Sequence, residues 1–512
     1  MFQRRHILRM LVLVAAGASP LFGEKFEPSW QSLQQYECPQ WFRDAKLGIF
    51  ICWNAYTVPA QGDWYARHMY IEGHRQYKYH LEHYGHPSKF GYKDIIPLWQ
   101  GEKFDPDELV GLFKQAGAKY IVPMAMHHDN FDLWDSKYQR WNSVNMGPHK
   151  DIIGMWRRAT LKQGLRFGVT THLARSYCWF QTSHGADKEG PFKGIPYDGR
   201  DPNYSDLYHE THGDTTKRYP INPSEAWKQT WYNRIKDLVD QHKPDLLYFD
   251  GGVPFGKVGL DMAAYYYNQN MLWHGGKLEA VLNLKNWPDG SHGEYREGMC
   301  VQDLERGLLS DIRELPWQND TSIGDWFWTD PPHYRSVDSI IDMLIDIVSK
   351  NGNLLLNVPP KADGTLDDEA VDILRKMGQW MDVNGEAIYG TRPWIRFGEG
   401  PTAVKEGGHF TDGRITFTAQ DIRFTTRGDV LYAIVLDWPK DGRLTITSLS
   451  TDCEKVGAVK SVSVLGCEGR PQWRQEREEL QLKWRQDHNG LTLELPSRRS
   501  CDYAYPFRIE FK

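Results

Sequence analysis

The sequence predicts an α/β protein: an irregular (β/α)8 TIM-like barrel followed by a C-terminal antiparallel β-sandwich domain. Three observations predict it. Between about residues 40 and 390, eight short apolar runs recur, the count that closes a parallel barrel. Amphipathic helical patterns separate several of these runs, and that alternation builds parallel sheets. Beyond residue 390 the helical period gives way to two-residue alternation with turns at Gly and Asp, the texture of a sandwich.

The elements follow in chain order. Arg4, Arg5 and Arg9 precede an apolar run from Met10 to Ala16 and then small residues. This is the layout of a secretory signal peptide, assigned to 1–23, and it is too short to span a bilayer. It predicts a periplasmic or extracellular location. The barrel runs are KLGIFICW (46–53), KYIVPMAM (119–126), RFGVTTHL (166–173), DLLYFDGG (245–252), EAVLNLKN (279–286), MCVQDLE (299–305), LPWQND (315–320) and NLLLNVPP (353–360). Helices are predicted over 105–117, 151–163, 224–242, 336–350 and 367–380. In 224–242, Ser224 is the predicted N-cap, and Trp227, Trp231, Ile235, Leu238 and Val239 share one face. Helices after the fifth and sixth runs are poorly signalled, so the barrel is expected to be irregular there. An open doubly wound sheet is the alternative. It would normally carry a glycine-rich phosphate turn after the first strand, and here that turn reads CWNAY. The barrel domain is assigned to 24–392 and the sandwich to 393–512, where RGDVLYAIVLDW, GRLTITSL, AVKSVSVLG and GLTLELP supply strands.

Composition narrows the function. The 512 residues carry a formal charge of −6, which argues against a nucleic-acid partner, whose footprint is basic. No segment after the N-terminal run is long and apolar enough to cross a membrane. The 21 Trp and 26 Tyr supply flat faces of the kind that stack on sugar rings, although large aromatics also fill cores. Seven cysteines are scattered without a CxxC pair, which excludes a zinc ribbon or thioredoxin motif; a Cys453–Cys467 disulfide is compatible with the spacing.

Barrel enzymes place their chemistry at the C-terminal ends of strands. Read at those ends, the chain offers Cys52 and Trp53, then Asp63, Trp64 and His68 in the following loop. It continues with His127, His128 and Asp129 in MAMHHDNF, His172, Asp250, Asp303, Glu305 and Trp317. Two carboxylates from different strands among imidazoles and indoles suit glycoside hydrolysis, one at the anomeric carbon and one protonating the leaving oxygen. A strand tip is rigid enough to hold a nucleophile, and the glycines after Asp250 are expected to leave room for substrate. Simpler readings exist. A strand-end Asp is often a helix N-cap, His127 and His128 could bind a metal, and Glu305 could pair with Arg306.

Several motifs, in order, resemble the α-L-fucosidases of glycoside hydrolase family 29. They are WFRDAKLGIFICW, GDWYARHMY, AKYIVPMAMHHDNFDLWDSKYQRWNSVNMGP, KDIIGM, PDLLYFDGG, SIGDW, DIVSKNGNLLLNVPPKADGTLDD and VNGEAIYGTRPW, spanning about residues 27–397. The resemblance implies a retaining exo-glycosidase with a barrel and a β-sandwich, acting on fucosylated glycans and needing neither metal nor cofactor; a fucoidan-type oligosaccharide is expected from the departures from the family motifs. It implies Asp250 as nucleophile and Glu305, in QDLERG, as acid/base, with Asp303 a nearby rival; Gln318 stands where other members carry an acid/base Glu. Trp53, Asp63, Trp64, His127, His128, His172 and Trp317 are the expected sugar contacts. Cys52 and Asn54 replace the His and Gly of GIFIHWG, Asn130 replaces the Gly of HHDGF, and Thr170–Thr171–His172 replaces a Tyr pair. A thiol is a poor donor, so an altered sugar preference is expected, with a weak or inactive sugar-binding homologue as the alternative.

Overall fold

Strands buried on both faces favour apolar residues, and the eight runs follow that preference except where the sixth and seventh turn polar. They become β1 (Leu47–Ile51), β2 (Tyr120–Met126), β3 (Arg166–Thr171), β4 (Leu246–Phe249), β5 (Val281–Lys285), β6 (Val301–Asp303), β7 (Trp317–Ser322) and β8 (Gly352–Asn357). Each pairs in parallel with the next, and β1 closes on β8 through Leu47↔Leu354 and Phe50↔Asn357. This computed structural model describes residues 25–404, 409–413, 415–466, 480–495, 499 and 501–512. The predicted signal peptide and Cys467 lie outside the described residues. Among those residues no helix is long and apolar enough to cross a membrane.

The helices follow the apolar stripes. In Glu225–His242 the five predicted face residues are buried, and the Ser224 hydroxyl caps the helix by accepting from Trp227 N–H at 3.2 Å. The pattern reading missed the helix Lys257–Trp273. It buries the adjacent pairs Ala263–Ala264 and Tyr266–Tyr267, which blurs the single stripe that periodicity detects. The β5–β6 and β6–β7 connections, residues 286–300 and 304–316, are loops, so the barrel is irregular where the helical signal was weak.

Beyond the barrel, one antiparallel sheet has the order β14-β13-β17-β11-β10-β9: β9 (Arg392–Glu399), β10 (Ile422–Arg427), β11 (Val430–Val435), β13 (Val459–Val464), β14 (Leu480–Gln481) and β17 (Tyr505–Phe511). A second holds β12 (Arg443–Ile446), β16 (Gly490–Glu494) and β15 (Lys483–Asp487). Phe424, Val462 and Phe507 of the first share a core with Leu444, Leu491 and Leu493 of the second. The helix Val337–Ser349 packs against both β8 and the strands β9 and β10, so almost all its surface is buried. Asp346 on it accepts from Arg423 Nε at 2.7 Å and from Lys350 Nζ at 2.8 Å. Charges so deeply buried are tolerable only when paired, and this pair ties sandwich to barrel.

Candidate active site

A cavity of about 460 Å³ opens among the residues that follow the barrel strands. Asp250, the residue after β4, lines it, as do Glu305, Asp63, Trp64, His127, His128, His172 and Cys52. The two carboxylates expected to work together therefore share one cavity. Lys285, the last residue of β5, stands between them, and its ammonium donates to Asp250 Oδ1 at 2.7 Å and to Glu305 Oε2 at 2.6 Å. Two oxygens bonded to one nitrogen lie no farther apart than those two lengths together. That ceiling falls within the separation of retaining pairs, about 5–5.5 Å, and short of the roughly 6.5–9.5 Å of inverting ones.

The two carboxyls differ in proton affinity. Burial raises that of Asp250, but Lys285 and Arg175, whose Nη2 lies 3.2 Å from Oδ2, outweigh it and hold the carboxyl well below the usual range. Glu305 is pushed up to about 7 by burial, opposed by Lys285 and reinforced by Asp320 and Asp250. One group is an anion and the other a proton carrier near neutrality, the division that nucleophile and acid require. Burial lowers the proton affinity of Lys285, yet Asp250, Asp320 and Glu305 raise it well above lysine's usual value, so it is a permanent cation.

The histidine pair is placed by a break in the ladder. The β2–β3 register shifts between Met124 and Met126, and β2 ends at Met126. His127 and His128 thus lie beyond the strand, where alternation of faces no longer applies, and both line the cavity. His128 Nδ1–H donates to His172 O at 2.8 Å, leaving Nε2 facing Asp250 Oδ2 at 3.6 Å. His127 Nδ1 meets the Tyr56 hydroxyl at 3.2 Å, and its Nε2 lies 3.7 Å from Asp63 Oδ1. Burial lowers the pKa of both rings, so they are neutral hydrogen-bonding groups. Nδ1 of His172 is buried without a hydrogen-bond partner in the protein. Among the described residues no three His, Cys, Asp or Glu side chains converge as a metal-ligand set.

Two expected contacts do not reach the cavity. Trp53 is 1 % exposed, packs on Trp99 and Phe104, and donates its indole N–H to Lys361 O; Cys52 lines the cavity and its neighbour points away. Trp317 begins β7 instead of ending it and donates to Lys350 O at 2.8 Å. The strand continues through the buried polar run QNDTS, which puts Trp317 about 16 Å from the catalytic end. Asp303 and Gln318 are fully buried and bonded to each other at 2.8 Å, outside the cavity lining. The glycines after Asp250 also serve another purpose than expected. A Cβ on Gly251 would lie 2.3 Å from the Tyr219 hydroxyl, and one on Gly252 2.6 Å from Glu294 O. They admit neighbouring chain.

Two departures from the family motifs have structural reasons. Asn130 has a φ of 62° and donates to Asp206 O and Leu207 O; Asn is among the residues that tolerate this left-handed region in place of Gly. Asn54 donates to Asp129 Oδ2 at 2.9 Å. The strand-end rule applied to VLNLK would have found Lys285, which the sequence reading passed over. Arg175 lies in the loop after β3 and Phe410 in the β9–β10 connection; only folding brings them to the cavity.

A closed (β/α)8 barrel with an acid and an anion paired at its strand ends is the architecture of a glycoside hydrolase. The family model described as Alpha-L-fucosidase matches residues 13–386, and that of the Alpha-L-fucosidase C-terminal domain matches 416–510. The chain belongs to the α-L-fucosidase family. It is 29% identical to the tissue alpha-L-fucosidase of Rattus norvegicus over 92% of this chain and 90% of that protein. It is 30% identical to the tissue alpha-L-fucosidase of Bos taurus over 84% and 82%. The crystal structure of Thermotoga maritima alpha-fucosidase in complex with a mechanism based inhibitor superposes with a TM-score of 0.72 at 28% identity, covering 95% of this chain and 100% of that one.

Proposed function

We propose that the protein removes terminal α-L-fucosyl residues from glycans with retention at the anomeric carbon, Asp250 acting as nucleophile and Glu305 as acid/base. The bridge of Lys285 between the two carboxyls carries this reading. In the first step an Asp250 oxygen bonds to the anomeric carbon as the glycosidic bond breaks, and the leaving oxygen takes the Glu305 proton. In the second, Glu305 takes a proton from water as that water bonds to the anomeric carbon and the Asp250 ester breaks. His127, His128, His172, Asp63 and Trp64 hold the sugar.

Asp250→Gly is expected to lose roughly three or more orders of magnitude in kcat and, with azide, to yield a fucosyl azide of inverted configuration. An unimpaired variant, or one giving no azide adduct, removes Asp250 from the role. A binding protein without turnover has the anion–acid pair against it.

Finer points follow the cavity wall. Cys52 puts a thiol where the family motif has an imidazole, which favours an altered sugar preference. Lys217 and Arg218 line the cavity, and Lys217 sits 5.9 Å from the centre of the Trp64 ring. These cations favour a sulfate-bearing, fucoidan-type substrate. Comparing hydrolysis of sulfated and desulfated fuco-oligosaccharides tests this, and preference for the desulfated form counts against it. The basic and apolar N-terminal segment favours export, checked by N-terminal sequencing of the mature protein.

A further inference from the structure

Glu305 is not part of a strand. β6 ends at Asp303, and the chain then enters the loop 304–316. Its flanking residues are tied to β7, with Leu304 N–H donating to Gln318 O at 2.9 Å and Arg306 N–H to Asp320 O at 2.8 Å. Its own peptide groups are met from another direction. Glu305 N–H donates to His409 Nδ1 at 3.0 Å, and Phe410 N–H donates to Glu305 O at 2.7 Å. Thr411 and Asp412 N–H both donate to Arg306 O at 2.7 Å. Arg306 has a φ of 47°, a conformation that a non-glycine residue keeps only when its surroundings impose it.

The segment that makes these contacts belongs to the connection between β9 and β10, about a hundred residues further along the chain. It is anchored at both ends. Asp412 Oδ2 accepts from Thr321 Oγ1 and from Arg335 Nη2, each at 2.7 Å. His409 Nε2 lies 3.2 Å from Asn286 O, and the ring stacks on Trp287 at 4.3 Å. Asn286 directly follows Lys285. One imidazole therefore joins the backbone beside the bridging lysine to the backbone of the acid it bridges. Because Nδ1 accepts from Glu305, the ring proton sits on Nε2, facing a carbonyl that accepts it.

We propose that residues 409–412 are a clamp for Glu305, with His409 the positioning residue that sets the acid's reach toward the leaving oxygen. This rests on the assignment of Glu305 as acid/base. His409 touches neither sugar nor reacting atom. It acts through the Glu305 backbone, so its loss matters most where protonation of the leaving group matters most.

The test uses the full-length protein and a series of aryl α-L-fucosides from 2,4-dinitrophenyl to phenyl. In His409→Ala, kcat/KM is expected to fall at least about tenfold more on the phenyl than on the dinitrophenyl fucoside, a fraction of what a general acid contributes. His409→Asn, whose amide oxygen takes the place of Nδ1, recovers most of that difference. His409→Gln, whose carbonyl reaches the Nε2 position instead, does not, and it stands in if the alanine variant fails to fold. Equal losses on all leaving groups, or no recovery by Asn over Gln, overturn the clamp. Glu305→Ala separates the two claims. If it shows the graded loss and His409→Ala does not, the clamp alone falls. If Glu305→Ala shows no grading either, the acid assignment falls and takes the clamp with it.

Discussion

The Asp250 side and the Glu305 side of the cavity, proposed to hold nucleophile and acid, are built differently. Asp250 follows a strand held on both edges by β3 and β5, and its N–H bonds to Thr171 O. Its position is a property of the barrel. Glu305 stands two residues past a three-residue strand and is held by β7 and by a segment from beyond β9. Its position depends on the C-terminal region as well. In the proposed mechanism the anion attacks one fixed carbon, whereas the acid serves a leaving oxygen in one step and a water in the next. Lys285 links the halves.

The largest effect is expected from breaking that link. Lys285→Met should lower kcat/KM about 10²–10³-fold, the scale of removing one preorganised charge from a closed site. Lys285 lowers the proton affinity of both carboxyls. Without it both limbs of the pH–kcat/KM profile should move to higher pH, and limbs that stay in place would leave the lysine a packing role only.

The pH profile itself separates the sides. In its proposed role Asp250 works as an anion, and it is held well below the usual range, so activity should persist into acid. In its proposed role Glu305 works protonated, and burial pushes its pKa up to about 7. The protonated form is lost as pH rises through that value, so kcat/KM should fall about tenfold per unit above it. Glu305→Gln should abolish that limb, and a limb that survives the substitution belongs to another group.

A smaller effect probes the sandwich as a support. Arg423→Met leaves Asp346 buried with Lys350 as its charge partner and should cost about 3 kcal/mol, read from urea midpoints. A loss under about 0.5 kcal/mol would mean the junction is held by apolar packing alone. The smallest effect lies on the β1 side. Cys52→His restores a strong donor, worth about 1–3 kcal/mol when well placed, and should raise kcat/KM on simple aryl fucosides about tenfold. An unchanged value removes position 52 from sugar selection.

Legibility in the sequence followed the same division. All eight barrel strands were readable, because each contains or begins on a short apolar run, the composition that burial on both faces favours. The placement of Asp250 directly after such a strand was readable too. Trp317 was misplaced because β7 continues through polar residues. Their burial inside the barrel mouth, with partners such as Asp303 for Gln318, cannot be inferred from hydropathy. Trp53 was misassigned because a strand end does not say which of two neighbouring side chains faces the cavity. Lys285 was within reach of the strand-end rule, but His409 and Phe410 were not, since no local pattern connects them to position 305.

By itself the sequence determined the barrel, the sandwich and the family, because apolar periodicity and ordered motifs are local and survive any uncertainty about packing. Tertiary structure alone decided which charges meet. Proton affinities of buried groups depend on neighbours a few ångströms away in space, and here those neighbours come from β5, from β7 and from the loop after β3.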